Sequence, residues 1–108
     1  MSNSFDERKN SFENKFAHDA ELQFRVEARR NRLLGEWAAE LMGKDGPERE
    51  EYAKEVVKAD FEEAGDDDVL RKVAGDLGAR MPTAEIRAKM DALMVVAKEQ
   101  VMNEHLKE

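Results

Sequence analysis

The sequence contains no cysteine among its 108 residues, which excludes a disulfide framework, a thiol nucleophile and a cysteine–zinc site. Proline occurs only at Pro47 and Pro82, and aromatic residues make up 6% of the chain. β-Branched residues are also few, and this composition favours helices over strands. The core must therefore be aliphatic, built mostly from Leu, Val, Met and Ala.

Long hydrophobic runs are also missing. The N-terminus, MSNSFDERKN, lacks the apolar centre of a signal peptide, and no segment reaches the length of a membrane-spanning helix. These absences favour a soluble cytoplasmic protein. Hydrophobic residues make up 41% of the chain, which is enough for the core of one small domain.

Charge is abundant and unevenly distributed. Charged residues make up 40% of the chain and the net charge is −7. Residues 1–35 carry seven basic and six acidic groups, a net charge of +1, whereas residues 36–108 carry eleven basic and nineteen acidic groups, a net charge of −8. Because no broad basic face results, the sequence disfavours binding to nucleic acid and attachment to an anionic membrane.

The longest helical pattern covers residues 16–42, and we expect this helix to begin between Asn14 and Asp19. Its first half carries four arginines, and its second half carries an apolar stripe at helical spacing. Gly43 ends the helix, because glycine tolerates the left-handed conformation after a last turn. The stripe consists of Leu34, Trp37, Ala38 and Leu41.

Three further amphipathic helices follow. The second starts at the signal Asp45-Gly46-Pro47 and runs to about Glu63. The third starts at the acidic run 66–68, which suits the positive end of the helix dipole, and it ends before Pro82. Thr83 caps the fourth, which runs close to the C-terminus.

Four amphipathic helices with short loops predict an all-α fold, a four-helix bundle with a flexible N-terminal leader. We assign residues 1–18 to a mobile leader, because they lack a continuous apolar face, and residues 19–108 to the bundle. The predicted shared core comprises Leu34, Trp37, Leu41, Val56, Phe61, Leu70, Leu77, Met90 and Leu93.

Catalytic chemistry finds little support. His18 and Glu21 can face one way on a helix, but they supply only half of a zinc site. The run 66–68 lacks the twelve-residue pattern of a calcium loop and is better explained as a helix start. The serines lie at positions 2, 4 and 11, none in a nucleophile-elbow context. The sequence therefore predicts a protein that is not an enzyme and has no metal site.

The arginines of the first helix leave two interpretations open. They form either a solvated face with partial pairing, such as Arg32 with Glu36, or a clamp for a phosphate or an acidic partner surface. Trp37 is likewise more often a core anchor than a platform for a base. The four residues of this cluster are Arg25, Arg29, Arg30 and Arg32.

One long block, FDERKNSFENKFAHDAELQFRVEARRNRLLGEWAAELMG, closely resembles the inhibitor zeta subunit of the α-proteobacterial F-type ATP synthase. The resemblance continues through YAKEVVKADFEEAGDDDVLRKVAGDL and the terminal helix, so it covers nearly the whole chain. It implies a regulatory inhibitor of ATP hydrolysis that binds the catalytic head at the cytoplasmic face of the inner membrane. It also implies a possible ADP or ATP ligand on the bundle, with no other cofactor.

The resemblance places the inhibitory part at about Ser2 to Asp19, inserting at an α/β catalytic interface and contacting the rotor. As a helix, this segment would bring three aromatic side chains close to one face, with basic residues beside them. The candidate partner-binding residues are Phe5, Asp6, Arg8, Lys9, Phe12, Lys15 and Phe16. The candidate nucleotide-binding residues are Arg25, Arg29, Arg30 and Trp37.

Two alternative functions remain open at this stage. One is a small nucleotide-sensing bundle that reports ADP or ATP. The other is a generic helical adaptor of an unrelated complex. In each case we expect a monomer when the protein is free, with neither nucleic acid nor membrane insertion among its interactions.

Overall fold

The structure is a computed structural model that describes residues 12–60 and 66–107. Within these ranges every regular element is a helix, so the predicted all-helical fold is confirmed. The first described residues, 12–18, are helical and are called α1. The following elements are α2 (Ala20–Leu41), α3 (Gly46–Ala59), α4 (Asp67–Leu77), a 3₁₀ turn (Gly78–Arg80) and α5 (Thr83–Leu106).

The first long helix of the sequence pattern is divided at Asp19. This residue has extended backbone angles, φ −110° and ψ 105°, and is the N-cap of α2. α1 ends immediately before it. At the other end of α2, Gly43 adopts a positive φ of 79°, which confirms the predicted stop.

The other described helix ends agree with the sequence except at the start of α5. Pro47 lies in the first turn of α3, as predicted. Thr83 is the first residue of α5 and not its cap, because the extended Pro82 occupies the cap position and α5 has no side-chain cap bond. α3 ends at Ala59, and its predicted continuation to Glu63 falls mostly on residues outside the described ranges.

α2 is the central element, and it packs against α3, α4 and α5. The apolar side chains form two clusters. The main core joins the second half of α2 to α3, α4 and the first half of α5, and its buried residues are Leu34, Ala38, Ala39, Tyr52, Val56, Val69, Val73, Leu77, Ile86 and Met90. The distal cluster joins α1, the first half of α2 and the second half of α5, and its buried residues are Phe12, Leu22, Val26, Ala97, Val101 and Met102.

Gly35 allows α2 and α3 to cross closely. A Cβ atom at this position would lie 2.7 Å from the Cα of Ala53 and 3.2 Å from a methyl group of Val56. Only a residue without a side chain fits such a contact between backbones. The glycine that the sequence pattern placed inside the helix is therefore a packing residue.

Four of the predicted core residues, Leu34, Val56, Leu77 and Met90, are buried. Trp37, Leu70 and Leu93 are half-buried and pack against the main core. Leu41 is 41% exposed, so its predicted burial is wrong: α2 ends there, and the next residue, Met42, packs against the main core instead. Phe61 lies outside the described residues.

Two buried polar residues were not predicted. Arg30 is 2% exposed and Asn31 is fully buried, and both lie on α2 between Val26 of the distal cluster and Leu34 of the main core. In the part of the chain that the structure describes, no helix is both long and apolar enough to cross a membrane.

Candidate functional site

The described part of the predicted leader is packed against the rest of the molecule. Phe12 is only 4% exposed and belongs to the distal cluster. Its ring stacks on that of Phe16 at a centroid distance of 6.3 Å, and it meets His105 of α5 in a tilted contact at 6.1 Å. Phe12 is therefore buried although the leader has no continuous apolar face of its own, because α2 and α5 together supply that face.

The remaining candidate residues of the leader divide into two groups. Phe16 is half-buried, and the Nζ atom of Lys98 lies 4.6 Å from its ring centroid. Lys15 is exposed on α1. The other four, Phe5, Asp6, Arg8 and Lys9, lie outside the described residues, and the mobility of residues 1–18 remains a prediction.

A pair of side-chain caps holds the joint between α1 and α2. The Asp19 carboxylate accepts hydrogen bonds from the backbone N–H groups of Glu21 at 2.9 Å and Leu22 at 3.2 Å. The Gln23 side chain donates in the opposite direction, to the carbonyl oxygens of Phe16 at 3.1 Å and Ala17 at 3.3 Å. Free backbone groups on both sides of the joint are thereby satisfied.

Arg29 and Arg25 face the C-terminal half of α5. Arg29 donates to Gln100 at 2.9 Å and forms an ion pair with Glu104 at 2.6 Å. The Arg25 guanidinium lies 3.9 Å from the same carboxylate. The hydrogen bond from Arg29 lowers the pKa of Glu104 and raises that of Arg29 itself. These two arginines therefore tie α2 to α5 beside the docked leader.

The buried Arg30 side chain is held by two hydrogen-bond partners inside the fold. Its guanidinium donates to Asp66 at 2.7 Å, and its Nε donates to the Asn31 side-chain oxygen at 2.7 Å. Among the described residues, the Asn31 side-chain nitrogen has no hydrogen-bond partner. Partial desolvation raises the pKa of the nearby Glu27 carboxyl, and the negative charges of Asp60 and Asp66 add to the effect.

Each residue of the acidic run 66–68 is paired with an arginine. Asp66 pairs with Arg30 of α2, Asp67 with Arg87 of α5 at 3.3 Å, and Asp68 with Arg71 one turn further along α4. In the described ranges, no group of three or more His, Cys, Asp or Glu side chains is placed to hold a metal ion. The run thus starts a helix and ties it to two neighbours.

A groove of about 290 Å³ is lined by the first half of α2 together with one residue each of α3 and α5. Phe24, which is 51% exposed, stands at its edge. Apolar side chains line the groove between the arginines, and the full lining is Phe24, Arg25, Ala28, Arg29, Arg32, Val57 and Val101. Sequence reasoning missed Phe24, although its i, i+4, i+8 spacing with Ala28 and Arg32 places the three on one helix face.

Of the four candidate nucleotide-binding residues, two line the groove and two do not. Arg25 and Arg29 line the groove, whereas the Arg30 guanidinium is buried against Asp66. Trp37 is half-buried against the main core, with the Lys89 Nζ atom 5.7 Å from its ring centroid. A planar ligand with phosphates would therefore find Phe24 and Arg32, and not Trp37 and Arg30, beside Arg25 and Arg29.

Comparisons with known proteins identify the family. The profile of a family described as ATPase inhibitor subunit zeta matches residues 1–100. A solved structure, described only as the solution NMR structure of a protein, is 61% identical with a TM-score of 0.72, over 77% of this chain and 98% of that chain. No curated protein matches the sequence. The chain belongs to the ATPase inhibitor subunit zeta family.

Proposed function

We propose that the protein inhibits ATP hydrolysis by the catalytic head of an F-type ATP synthase, and that its N-terminal segment is the part that inserts at an α/β interface. The observation that carries the proposal is the family match, which runs from residue 1 to residue 100 and so includes the leader. Family membership supports a regulatory inhibitor and not an enzyme. The partner is then the synthase itself, at the cytoplasmic face of the membrane that holds it.

The packing of α1 supports a role for the leader as a separable segment. α1 is joined to α2 through a capped break at Asp19, and it rests on the distal cluster through Phe12. Its outer positions, among them Glu13, Lys15 and His18, are exposed. Large aromatic side chains carry much of the affinity of protein interfaces, so Phe12 and Phe16 fit both the present packing and a partner surface.

A steady-state ATPase assay with the purified synthase head tests this function. Deletion of residues 2–11 should abolish inhibition, because it removes Phe5, Arg8 and Lys9 while it retains every contact described for Phe12. The thermal midpoint of the shortened protein should stay unchanged, because Phe12 and its contacts in the distal cluster are retained. A Gly/Ser segment of equal length in place of residues 2–11 should also fail to inhibit, which separates sequence from chain length.

Two results would contradict the proposal in different ways. Full inhibition by the shortened protein would assign the inhibitory surface to the helices and not to the leader. A full-length chain that leaves the ATPase rate unchanged would favour the helical adaptor of an unrelated complex. The control is Arg87→Gln, which changes an exposed residue of α5 paired with Asp67 of α4 and should inhibit like the natural chain.

The groove beside Phe24 supports a second candidate function, the binding of ADP or ATP. Phe24 offers a ring for the base, and guanidinium groups of Arg25, Arg29 and Arg32 lie along the same groove. Charge-assisted hydrogen bonds from arginine suit phosphate oxygens. No part of this role is needed for inhibition, and the two functions can be tested apart.

Amide NMR during a titration with ADP tests the groove. We expect shifts at residues 24–32 that weaken in the Phe24→Ala and Arg32→Gln variants and persist in Arg87→Gln. Titrations with adenosine and with inorganic phosphate separate contacts to the base from contacts to the phosphates. Shifts confined to residues around Trp37 would restore the assignment made from the sequence, and no shifts at millimolar ADP would remove the candidate.

A further inference from the structure

We propose that Asp19 is a hinge which holds α1 folded against α2 and α5, and that opening of the hinge joins α1 and α2 into one continuous helix. The folded form covers Phe12, and the straight form exposes it. The effect on inhibition rests on the function proposed above. The hinge itself rests only on the contacts around Asp19, and it can be tested without the synthase.

The break at Asp19 has a side-chain origin. The segment FAHDAELQ around it contains neither glycine nor proline, so none of its residue types forbids a helix. The extended conformation of Asp19 is instead accompanied by its two cap bonds and by the two bonds from Gln23 to the end of α1. Removal of these bonds leaves a sequence that can continue as a helix.

Two sets of interactions oppose each other at the hinge. The folded form gains the caps, the burial of Phe12 in the distal cluster and the contact of Lys98 with the Phe16 ring. The straight form gains backbone hydrogen bonds across residues 16–23, which the break interrupts. Since a side chain of Asp, but not of Ala, stabilises the extended cap position, the identity of residue 19 sets the balance.

The folded form cannot present its aromatic face to a partner. Phe12 and Phe16 are four residues apart and lie on the same side of α1, which is the side that packs on the distal cluster. A partner that takes up Phe12 must displace it from Leu22, Val26 and Val101. The folded form is therefore a stored state, and the straight form is the one that can bind.

The Asp19→Ala variant tests the hinge without removal of an aromatic residue. It should raise the ratio of straight to folded molecules about fivefold, the usual effect of one lost N-cap. The Gln23→Met variant should act in the same direction, because it keeps the length of the side chain and removes its donor. Asp45→Ala is the matched control, because Asp45 is also an extended N-cap residue but makes no side-chain cap bond.

Spin labels can measure the two forms directly. The chain has no cysteine, so cysteines placed at the exposed positions Asn14 and Asn103 take a unique pair of nitroxide labels. Double electron–electron resonance should give a short distance for the folded form and a longer one for the straight form. The population at the longer distance should grow in Asp19→Ala and in Gln23→Met, and stay at the natural level in Asp45→Ala.

An unchanged distance distribution in Asp19→Ala would overturn the hinge. In the ATPase assay, Asp19→Ala without spin labels should reach half-inhibition at a concentration about fivefold lower than the natural chain. Its maximal inhibition should be the same. If a variant with a larger straight population, as measured by the label distances, inhibits more weakly, the claim that the folded form withholds the leader from the synthase is wrong. If the natural chain itself does not inhibit, the proposed function is wrong. The distances between the spin labels still test the hinge in that case.

Discussion

Arg30 and Asp66 form an ion pair, 2.7 Å long, that joins the middle of α2 to the residue before α4. The guanidinium is almost completely buried, whereas the carboxylate is 43% exposed. The same guanidinium also donates to Asn31. One side chain thus satisfies polar groups at the boundary between the main core and the distal cluster.

Arg30→Met should lower the free energy of unfolding by about 2 kcal/mol, because it removes charge-assisted bonds and leaves the Asn31 oxygen without its donor. The partly exposed Asp66 can recover some solvation, which keeps the loss below that of a fully buried pair. Urea denaturation followed by the fluorescence of Trp37, the single tryptophan, measures the change. The control Arg32→Met, at an exposed arginine of the same helix, should change stability by no more than about 0.5 kcal/mol.

Gly35→Ala should destabilise the protein by about 1–3 kcal/mol, because the new methyl group would meet the Ala53 backbone at 2.7 Å. Gly75→Ala should instead stabilise it by about 0.5–1 kcal/mol, since Gly75 lies inside α4 and a Cβ there would meet no atom within 4 Å. Thermal midpoints of the two variants should move in opposite directions. Equal shifts would contradict the close crossing of α2 and α3.

Phe12→Ala should release α1 from α2 and α5 with little effect on the main core, because the contacts described for Phe12 lie in the distal cluster and with Phe16 and His105. Once released, α1 continues α2 as one helix, and the new backbone hydrogen bonds across residues 16–23 protect the amides of this segment. Hydrogen exchange should therefore slow in this segment and stay unchanged in α3 and α4. Phe24→Ala, which truncates a half-exposed aromatic residue of α2, is the control and should leave exchange in residues 16–23 unchanged.

Glu27 should make stability depend on pH. Partial desolvation and the charges of Asp60 and Asp66 raise its pKa above the model-compound value of 4.5. The folded protein therefore binds this proton more tightly than the unfolded chain, and the contribution of Glu27 to stability is present below pH 4.5 and lost as pH rises through the raised pKa. Glu27→Gln should reduce that loss in denaturation midpoints measured from pH 4 to pH 7, while Glu99→Gln on the exposed face of α5 should not.

The helices could be predicted because their apolar residues repeat at helical spacing, and Leu34, Val56, Leu77 and Met90 are buried for that reason. Periodicity does not show how far the packing partners of a helix extend. It therefore also placed Leu41 in the core, although this last residue of α2 is exposed. It assigns charged and polar residues to the surface, and the burial of Arg30 and Asn31 was missed. The partner of Arg30 is Asp66, the residue before α4 and 36 residues further along the chain, and Arg30 in turn donates to Asn31.

The candidate site was harder to predict because its contacts join distant parts of the chain. Phe12 appeared isolated, since its partners Val101 and Met102 lie near the other end of the sequence. Asp19 fell within the expected range for a helix start, but the sequence did not reveal a second helix before it. The sequence gives no sign that Phe24 borders a groove, because the groove also requires Val57 of α3 and Val101 of α5.

The distal cluster has a consequence for the order in which the protein is made and folded. Its contacts span most of the chain: Arg29 and Glu104, which lie beside it, are 75 residues apart, and such distant pairs close late. During translation Phe12 is made well before residues 97–102, the surface of α5 that receives it. Phe12 must therefore wait for most of the chain, and a nascent chain passes through a stage in which α1 and α2 are complete but the surface that buries Phe12 is not.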